Sequence, residues 1–227
     1  MFEFARLTDA GAAAALHALV FGEGERGVRA FYAPDAEREI HGVFDGDVLV
    51  SALSFFPVEV GGAACVYMAG VCTHPDYRGR GLFRRNFAQA KAATAYDARN
   101  LFCIPANDSL FGLYESVGLR KRTCASLVSL DGSGSGGGYA FDGDYERLYA
   151  LYLASGPDVR HPFPLFRACV DNFLAAGSAY YVQDGFALID GAGVRFACGA
   201  DADGLRGLLS GRFAWLTRAG QGGEVYM

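Results

Sequence analysis

The pattern of apolar and polar positions divides most of the chain into alternating strand-like and helix-like segments. Short runs of apolar or alternating residues predict strands, whereas apolar residues three or four positions apart predict helices. The predicted strands are 2–7, 39–44, 48–56, 64–73, 101–106 and 119–130. The predicted helices are 8–20, 25–32, 82–93 and 107–118. This mixture predicts an α/β (α+β) fold for residues 1–130.

A glycine- and serine-rich segment at 131–138 follows this part of the chain and is typical of a flexible linker. The sequence therefore predicts two domains, 1–130 and 139–227, joined by that linker. In the second domain the pattern predicts helices at 145–152, 166–174 and 201–209 and strands within 182–189, 194–198 and 213–217.

Two Asp-Gly dipeptides predict tight hairpin turns, Asp45-Gly46 in the first half and Asp184-Gly185 in the second. The valines and aliphatic residues around them repeat at an offset of 139 positions. Helices precede the hairpin in both halves, so the second half is predicted to be a degenerate copy of the first. Chance similarity of two common turns is the alternative explanation.

The composition limits the classes of protein that fit. The 227 residues are 52% hydrophobic and 14% aromatic, which excludes a disordered chain. The net charge of −5 disfavours non-specific nucleic-acid binding and mildly favours a cationic substrate. No apolar run approaches the length of a membrane span and the first residues carry no basic leader, so we expect a cytoplasmic protein without membrane or nucleic-acid partners. The sequence leaves open whether the chain forms a homo-oligomer.

Six cysteines are scattered through mostly apolar segments and include no Cys-x-x-Cys pair. They lie at positions 65, 72, 103, 124, 169 and 198. Such residues are typical of small buried hydrophobic side chains in a reducing compartment, so neither a metal site nor a disulfide is predicted.

The clearest sequence signal for chemistry follows the predicted strand 64–73. The segment 78–81, Arg-Gly-Arg-Gly, forms a turn that leads into a helix at Leu82. N–H groups at a helix start lack intrahelical partners, glycines let an anion approach them, and Arg84 adds positive charge. Gly70, inside the preceding strand, predicts a bulge or a close backbone approach. Together these features predict a phosphate site, for which a plain surface turn is the alternative.

This turn and a second motif resemble those of the GNAT superfamily of N-acetyltransferases over roughly residues 1–130. The family turn has Arg or Gln, two residues, Gly, one residue, then Gly or Ala, and the segment 78–82 matches it until Phe83 stands at the last position. A bulky residue there resembles the enhanced-intracellular-survival type and is expected to crowd the loop. The second motif is Asn107, followed seven positions later by Tyr114 and then by a glycine helix stop.

The resemblance implies a mixed, mostly antiparallel central sheet flanked by helices, with a smaller second half of the same kind. It also implies that acetyl-CoA, the acetyl donor, lies in a V-shaped opening between the strands 64–73 and 101–106. The residues implied to hold it are Val71, Cys72, Thr73, Arg78, Gly79, Arg80, Gly81, Leu82, Phe83, Arg84 and Asn107. Backbone groups of the first three would pair with the pantetheine arm, and amides of the turn would hold the pyrophosphate. An N–H at the Gly70 bulge would stabilise the oxyanion.

Tyr114 is implied to be the acid that protonates the leaving thiolate, whereas a tyrosine that packs its helix onto the sheet is the alternative interpretation. Glu59, His74 and Glu115 are candidates for a general base, and the sequence favours none of them. The predicted function is direct transfer of an acetyl group from acetyl-CoA to a primary amine of a small molecule, without a metal. Three alternatives remain: a non-catalytic acyl-CoA-sensing module, a peptide or protein acetyltransferase, and a phosphate- or nucleic-acid-binding protein.

Overall fold

The structure is a computed structural model, and it describes residues 1–130, 138–157, 159–175, 177–190, 193–199 and 214–226. The chain divides into two units. The first comprises Met1–Arg122 with Val225–Met227, and the second comprises Thr123–Glu224. The predicted linker at 131–138 and the predicted helix at 201–209 lie almost entirely outside the described residues, so the predicted domain boundary stays a prediction.

Five strands form the sheet of the first unit in the order β1-β2-β3-β4-β5. Their bounds are β1 Phe2–Leu7, β2 Glu39–Asp45, β3 Val48–Val60, β4 Ala63–Thr73 and β5 Leu101–Cys103. The first four strands pair antiparallel, whereas β4 and β5 run parallel. On its other side, Cys103 of β5 pairs antiparallel with Tyr226. The prediction of a mixed, mostly antiparallel sheet flanked by helices is confirmed.

Four α-helices accompany this sheet, and the order of elements follows the predicted one. They are α1 Gly11–Phe21, α2 Glu25–Phe31, α3 Leu82–Ala93 and α4 Phe111–Glu115. Short 3-10 turns lie at Pro75–Tyr77, Ala98–Asn100 and Asp108–Leu110. Two further strands, β6 (Lys121–Leu130) and β12 (Ala214–Tyr226), cross the division between the units.

The sheet of the first unit has a hydrophobic core on each face. One core packs α1 and α2 against the sheet and includes Leu16 and Cys72. The other packs α3 and α4 against the sheet and includes Met68, Phe83 and Tyr114. Because successive side chains of a strand alternate between faces, a strand buried on both sides has an almost continuous apolar sequence. This explains why β3 is buried without interruption from Leu49 to Phe56, a stretch in which only two serines interrupt the apolar residues.

The second unit contains a sheet in the order β11-β10-β9-β7, with two helices packed on it. The bounds are β7 Gly138–Ala140, α5 Tyr145–Ala154, β8 Val159–Arg160, α6 Phe163–Leu174, β9 Ser178–Val182, β10 Gly185–Asp190 and β11 Gly193–Cys198. Its core includes Leu148, Phe166 and Phe186. In the described part of either unit, no helix has the length and hydropathy that a bilayer crossing requires.

The two Asp-Gly dipeptides occupy different places in their hairpins. In the first unit Gly46 is a turn residue with φ of +60°. In the second, Gly185 pairs with Val182 and already belongs to β10. A Cβ on Gly185 would stand 1.9 Å from the carbonyl oxygen of Cys198, so glycine there permits a close strand approach. The offset of 139 positions therefore does not align the two turns, and the hairpins give no support to an internal copy.

A buried ionic network links β2 to the rest of the first unit. The Glu39 carboxylate is 1% exposed and lies 3.1 Å from the Arg6 guanidinium and 3.1 Å from Nε2 of His41. It also accepts a hydrogen bond from the N–H of Ala95 at 3.1 Å. Burial raises the pKa of this carboxyl, but hydrogen bonds from Thr94, Ala95 and His41 and the arginine charge outweigh that effect. The net result is a lowered pKa.

We expect Glu39→Gln to lower the free energy of unfolding by about 2 kcal/mol at neutral pH, because the arginine loses its charged partner. A carboxyl with a lowered pKa stabilises the fold above its unfolded value and loses that contribution as the pH falls below about 4.3. Wild-type stability should therefore fall more steeply than that of the variant in this acid window. Urea unfolding at neutral and acid pH measures both effects, and parallel pH dependences would contradict the assignment.

Candidate functional site

A β-bulge interrupts β4 at Gly70. Ser54 of β3 pairs with Ala69, and Ala52 pairs with Cys72, so three steps along β4 oppose two along β3. Gly70 has φ of +61°, a conformation that residues with side chains rarely adopt. A bulge leaves the extra residue out of the ladder, so an N–H at this point is available to a ligand. The bulge is where the sequence predicted it.

The inner strands β4 and β5 separate close to this bulge. Their pairs are Val66 with Leu101, Tyr67 with Phe102 and Met68 with Cys103. Beyond Cys103 β5 ends, while β4 continues to Thr73. Among the described strands, none pairs with this edge of β4 beyond Met68. An extended ligand arm could therefore pair with β4 as an added strand.

The glycine-rich turn places unpaired N–H groups at the start of α3. Gly79 and Gly81 have φ of +75° and +72°, and nothing lies within 4 Å of the position that a Cβ would take on either. The first backbone bond of α3 runs from the N–H of Arg85 to the carbonyl of Gly81. Within the described residues, the N–H groups from Gly79 to Arg84 have no backbone acceptor. A row of such donors at a helix start is an anion-binding arrangement.

Three exposed arginines around the turn are held in place by the protein. Arg78 Nε donates to the carbonyl of Thr73 at 3.3 Å, and Arg80 donates to a carbonyl of the preceding 3-10 turn at 3.0 Å. Arg84 Nε donates to the hydroxyl of Ser116 at 2.9 Å. Each guanidinium has five N–H donors, so these bonds leave donors for a phosphate.

Leu82 and Phe83 begin α3, and their side chains are buried. Phe83 is 7% exposed, and its ring centroid lies 5.8 Å from that of Tyr114 and 5.9 Å from that of Phe87. The expectation that Phe83 crowds the loop is wrong, because its position on α3 directs the ring into the core and away from the turn. Both residues can serve an anion only through their backbone N–H groups.

A groove of about 520 Å³ runs along α3 from Arg84 to Ala92. Ser116 and Val117, which follow α4, line its other side. Arg84 and Lys91 supply positive charge to it and Ser116 supplies a hydroxyl, next to the apolar side chains of Phe87 and Val117. Such a lining suits a phosphate attached to a flat, partly apolar group.

Tyr114 of α4 lies near the point at which β4 and β5 separate. Burial raises the pKa of its hydroxyl, and the neighbouring Cys103 raises it further. Because Cys103 is the last residue of β5 that pairs with β4, the tyrosine is close to the opening. A raised pKa keeps the hydroxyl protonated, as a proton donor requires. The same ring packs edge-on against Phe83, so its position also suits a packing role.

The remaining predicted contacts are backbone groups of β4 and a helix cap. Oδ1 of Asn107 accepts hydrogen bonds from the N–H and the hydroxyl of Ser109, at 3.1 Å and 2.5 Å. On β4, the Val71 side chain packs on the core beneath α3, whereas that of Cys72 packs on the core beneath α1. The Thr73 hydroxyl bonds to β3. These strand residues therefore offer mainly their backbone to a ligand.

The structure does not single out any of the three base candidates from the sequence. Glu59 lies near the far end of β3, His74 accepts an N–H in the 3-10 turn, and Glu115 is exposed. His17 does not stand out in the sequence, but its Nδ1 lies 3.7 Å from the position that a Cβ on Gly70 would take. A lone histidine on the apolar face of an alanine-rich helix indicates burial and nothing more. Within the described residues, no cluster of His, Cys, Asp or Glu could hold a metal ion.

Solved structures with this fold extend over nearly the whole chain. A GCN5-related N-acetyltransferase from Kribbella flavida has a TM-score of 0.62 at 17% identity, over 100% of this chain and 71% of its own. Eis1 from Mycobacterium abscessus has a TM-score of 0.62 at 13% identity, over 95% and 65%. A GCN5-related N-acetyltransferase from Anabaena variabilis ATCC 29413 has a TM-score of 0.63 at 11% identity, over 96% and 65%. At such identities the similarity concerns the fold, and the chain spans about two thirds of the length of the latter two proteins.

A comparison with curated protein sequences finds no match. The family model for the acetyltransferase (GNAT) domain matches residues 3–120, more than half of the 227 residues. The matched segment contains the bulge, the separated strands, the glycine-rich turn and Tyr114. The chain therefore belongs to the GNAT acetyltransferase family.

Proposed function

We propose that the protein transfers the acetyl group of acetyl-CoA directly to the primary amine of a small molecule. The observation that carries the proposal is the row of N–H groups from Gly79 to Arg84 at the start of α3. These groups have no backbone acceptor among the described residues, and α3 follows β4, one of the two strands that separate. A pyrophosphate has the charge and the acceptor oxygens that match these donors.

In this proposal the parts of the coenzyme lie along one path. The pyrophosphate would lie at the turn, beside Arg78, Arg80 and Arg84, and the pantetheine arm would pair with the backbone of β4. The groove with Lys91 would take the phosphorylated adenosine. The proposed binding residues are Val71, Cys72, Thr73, Arg78, Gly79, Arg80, Gly81, Leu82, Phe83, Arg84 and Asn107.

The reaction would use the bulge and the tyrosine in turn. An N–H at Gly70 or Val71 would polarise the thioester carbonyl and stabilise the oxyanion as the amine attacks. Holding the amine and the thioester together would supply much of the acceleration. When the C–S bond breaks, the Tyr114 hydroxyl would protonate the thiolate, whose thiol pKa of about 8.5 makes this a modest demand.

An amine acceptor agrees with the charge of the protein. The net charge of −5 attracts cations, and a primary amine is a cation at neutral pH until it loses the proton that must leave before it attacks. We also propose that the protein is cytoplasmic and has neither a nucleic-acid nor a membrane partner. Size-exclusion chromatography would decide whether it is a homo-oligomer.

A non-catalytic acyl-CoA-sensing module is the second candidate. Tyr114 is 5% exposed and packs against Phe83, which is also the arrangement of a purely structural tyrosine. Such a module would bind the coenzyme without releasing its thiol in the presence of amines.

Calorimetry with coenzyme A and acetyl-CoA, followed by a free-thiol assay over small amines and lysine peptides, tests the proposal. Thiol release that depends on a small amine supports it. Release with peptides alone favours a protein acetyltransferase, and binding without release favours the sensing module. Absence of coenzyme binding would overturn the proposal.

We expect Gly79→Val to weaken the binding of coenzyme A by at least about tenfold. Valine is strained at φ of +75°, and its side chain would enter the open space in which the phosphate would lie. Gly46→Val is the matched control, because Gly46 has φ of +60° and an open Cβ position in a turn outside the site. Both variants should lose stability, but only Gly79→Val should lose affinity by calorimetry. Equal affinities would contradict the pyrophosphate assignment.

A further inference from the structure

His17 of α1 is a buried histidine that the proposed coenzyme site does not use. It is 3% exposed, and its ring centroid lies 4.5 Å from Phe21, 4.8 Å from Phe31 and 5.5 Å from Tyr32. The position of a Cβ on Gly70 would be 3.7 Å from His17 Nδ1 and 2.9 Å from the Phe31 ring. This cluster of rings therefore covers the bulge at which acetyl transfer is proposed.

Both ring nitrogens of His17 face another polar group. Nε2 lies 3.3 Å from Oε2 of Glu23, whose side chain is 35% exposed. Neither of these two atoms has an aligned hydrogen bond within the described residues. Nδ1 lies 3.4 Å from the Tyr32 hydroxyl. The carboxylate favours the tautomer with its proton on Nε2, so the lone pair of Nδ1 is directed to Tyr32 and the bulge.

The surroundings favour a neutral imidazole that can accept a proton. Burial lowers the pKa of His17, and the Glu23 carboxylate offsets this only in part. Burial raises the pKa of Tyr32, on which Cys72, Arg38 and Glu23 also act, so its hydroxyl stays protonated. A neutral imidazole beside a carboxylate is the arrangement of a general base, because the carboxylate stabilises the imidazolium that forms.

We propose that Glu23, His17 and Tyr32 together remove the proton of the acceptor ammonium, an inference that rests on the proposed acetyl transfer. The Tyr32 oxygen takes a proton from the ammonium while its own hydroxyl proton passes to Nδ1 of His17. The free amine then forms a C–N bond with the acetyl carbon, the C–S bond breaks, and the sulfur leaves with the electron pair. The nitrogen loses its second proton to solvent, and the Tyr114 hydroxyl protonates the thiolate and is itself reprotonated from solvent. The imidazolium of His17 returns its proton to solvent.

His17→Gln tests this assignment. With an alkylamine acceptor, kcat/KM at neutral pH should fall about 100-fold. Only the unprotonated amine can then react, so kcat/KM of the variant should rise about tenfold per pH unit, while the wild type stays nearly constant over the same range. Hydroxylamine is already unprotonated at neutral pH and should restore the variant to nearly the wild-type rate. Tyr32→Phe should behave in the same way, whereas a merely structural role would slow both acceptors equally.

His41→Gln is the matched control. His41 is also 3% exposed, its Nε2 lies 3.1 Å from Oε2 of Glu39, and its ring contacts Phe55 of the core beneath α3. This variant should lose stability without acquiring the steep pH profile. Calorimetry with coenzyme A verifies that each variant keeps its coenzyme site.

The outcomes separate this inference from the proposed function. An active wild type and a His17→Gln variant with the wild-type pH profile would overturn the inference alone. A wild type that releases no thiol with any amine would overturn the proposed function, and the inference with it. An active wild type and a variant rescued by hydroxylamine would support both.

Discussion

Replacing Gly70 with valine should reduce kcat about 1000-fold while coenzyme A still binds. The bulge requires φ of +61°, which valine adopts only with strain, and a Cβ there would lie 2.9 Å from the Phe31 ring. Relief of either constraint would rotate the N–H that is proposed to stabilise the oxyanion. Loss of one such donor costs about 100-fold to 1000-fold in kcat. Single-turnover thiol release measures the loss, and calorimetry measures the affinity.

Gly62→Val separates backbone strain from the geometry of the site. Gly62 has φ of +82° in the turn between β3 and β4, and nothing lies within 4 Å of its Cβ position. This variant should lose about 1–3 kcal/mol of stability and keep its kcat. Equal losses of kcat in both variants would indicate general unfolding, and full activity of Gly70→Val would exclude the bulge from the reaction.

Tyr114→Phe should lower kcat between about 100-fold and 1000-fold, since it removes the proposed acid. Stability should change little, because the phenylalanine ring keeps its contact with Phe83. Burial first and Cys103 second raise the pKa of Tyr114, so the wild type should lose no acid function as the pH rises to about 10. A thioester whose leaving thiol is more acidic needs less help from an acid. With such a thioester the difference in kcat between the wild type and Tyr114→Phe should therefore be smaller.

The control for this experiment is Tyr96→Phe. Tyr96 donates its hydroxyl to Glu37 at 3.2 Å in the same unit, outside the proposed site. It should keep its kcat with every thioester. If Tyr114→Phe also kept its kcat with coenzyme bound, the packing interpretation of that residue would be correct and the acid would have to be sought elsewhere.

The extent of β5 marks the limit of what hydropathy could predict about the fold. Periodicity is a local property, so β1 to β4 and α1 to α3 begin and end within a few residues of their predicted bounds. The strand predicted at 101–106 ends at Cys103 instead. The apolar run continues through Ile104, but that residue is 59% exposed, because the chain leaves the sheet where the inner strands separate. Hydropathy does not reveal such a departure, since it reports the residue and not its neighbours.

The candidate site shows the same limit. Gly70 and Gly79 could be singled out from the sequence because backbone positions with a positive φ are usually occupied by glycine. The direction of Phe83 depended on how α3 is rotated against the sheet, and the family motif does not contain that information. His17 became a candidate only through contacts between α1 and β4, which lie far apart in sequence. The pattern of one helix does not show which backbone lies opposite it.

Because β4 and β5 pair over only three residues each, the proposed cosubstrate would also have a structural role in the sheet. Its arm would complete the sheet, and protein and ligand would share one ladder of amide bonds. The number of backbone hydrogen bonds between the turn and the bulge would then set the position of the thioester carbon. No side chain would be needed to define that position. The length of the arm between the pyrophosphate and the thioester, more than the shape of the acyl group, would decide which acyl donors fit.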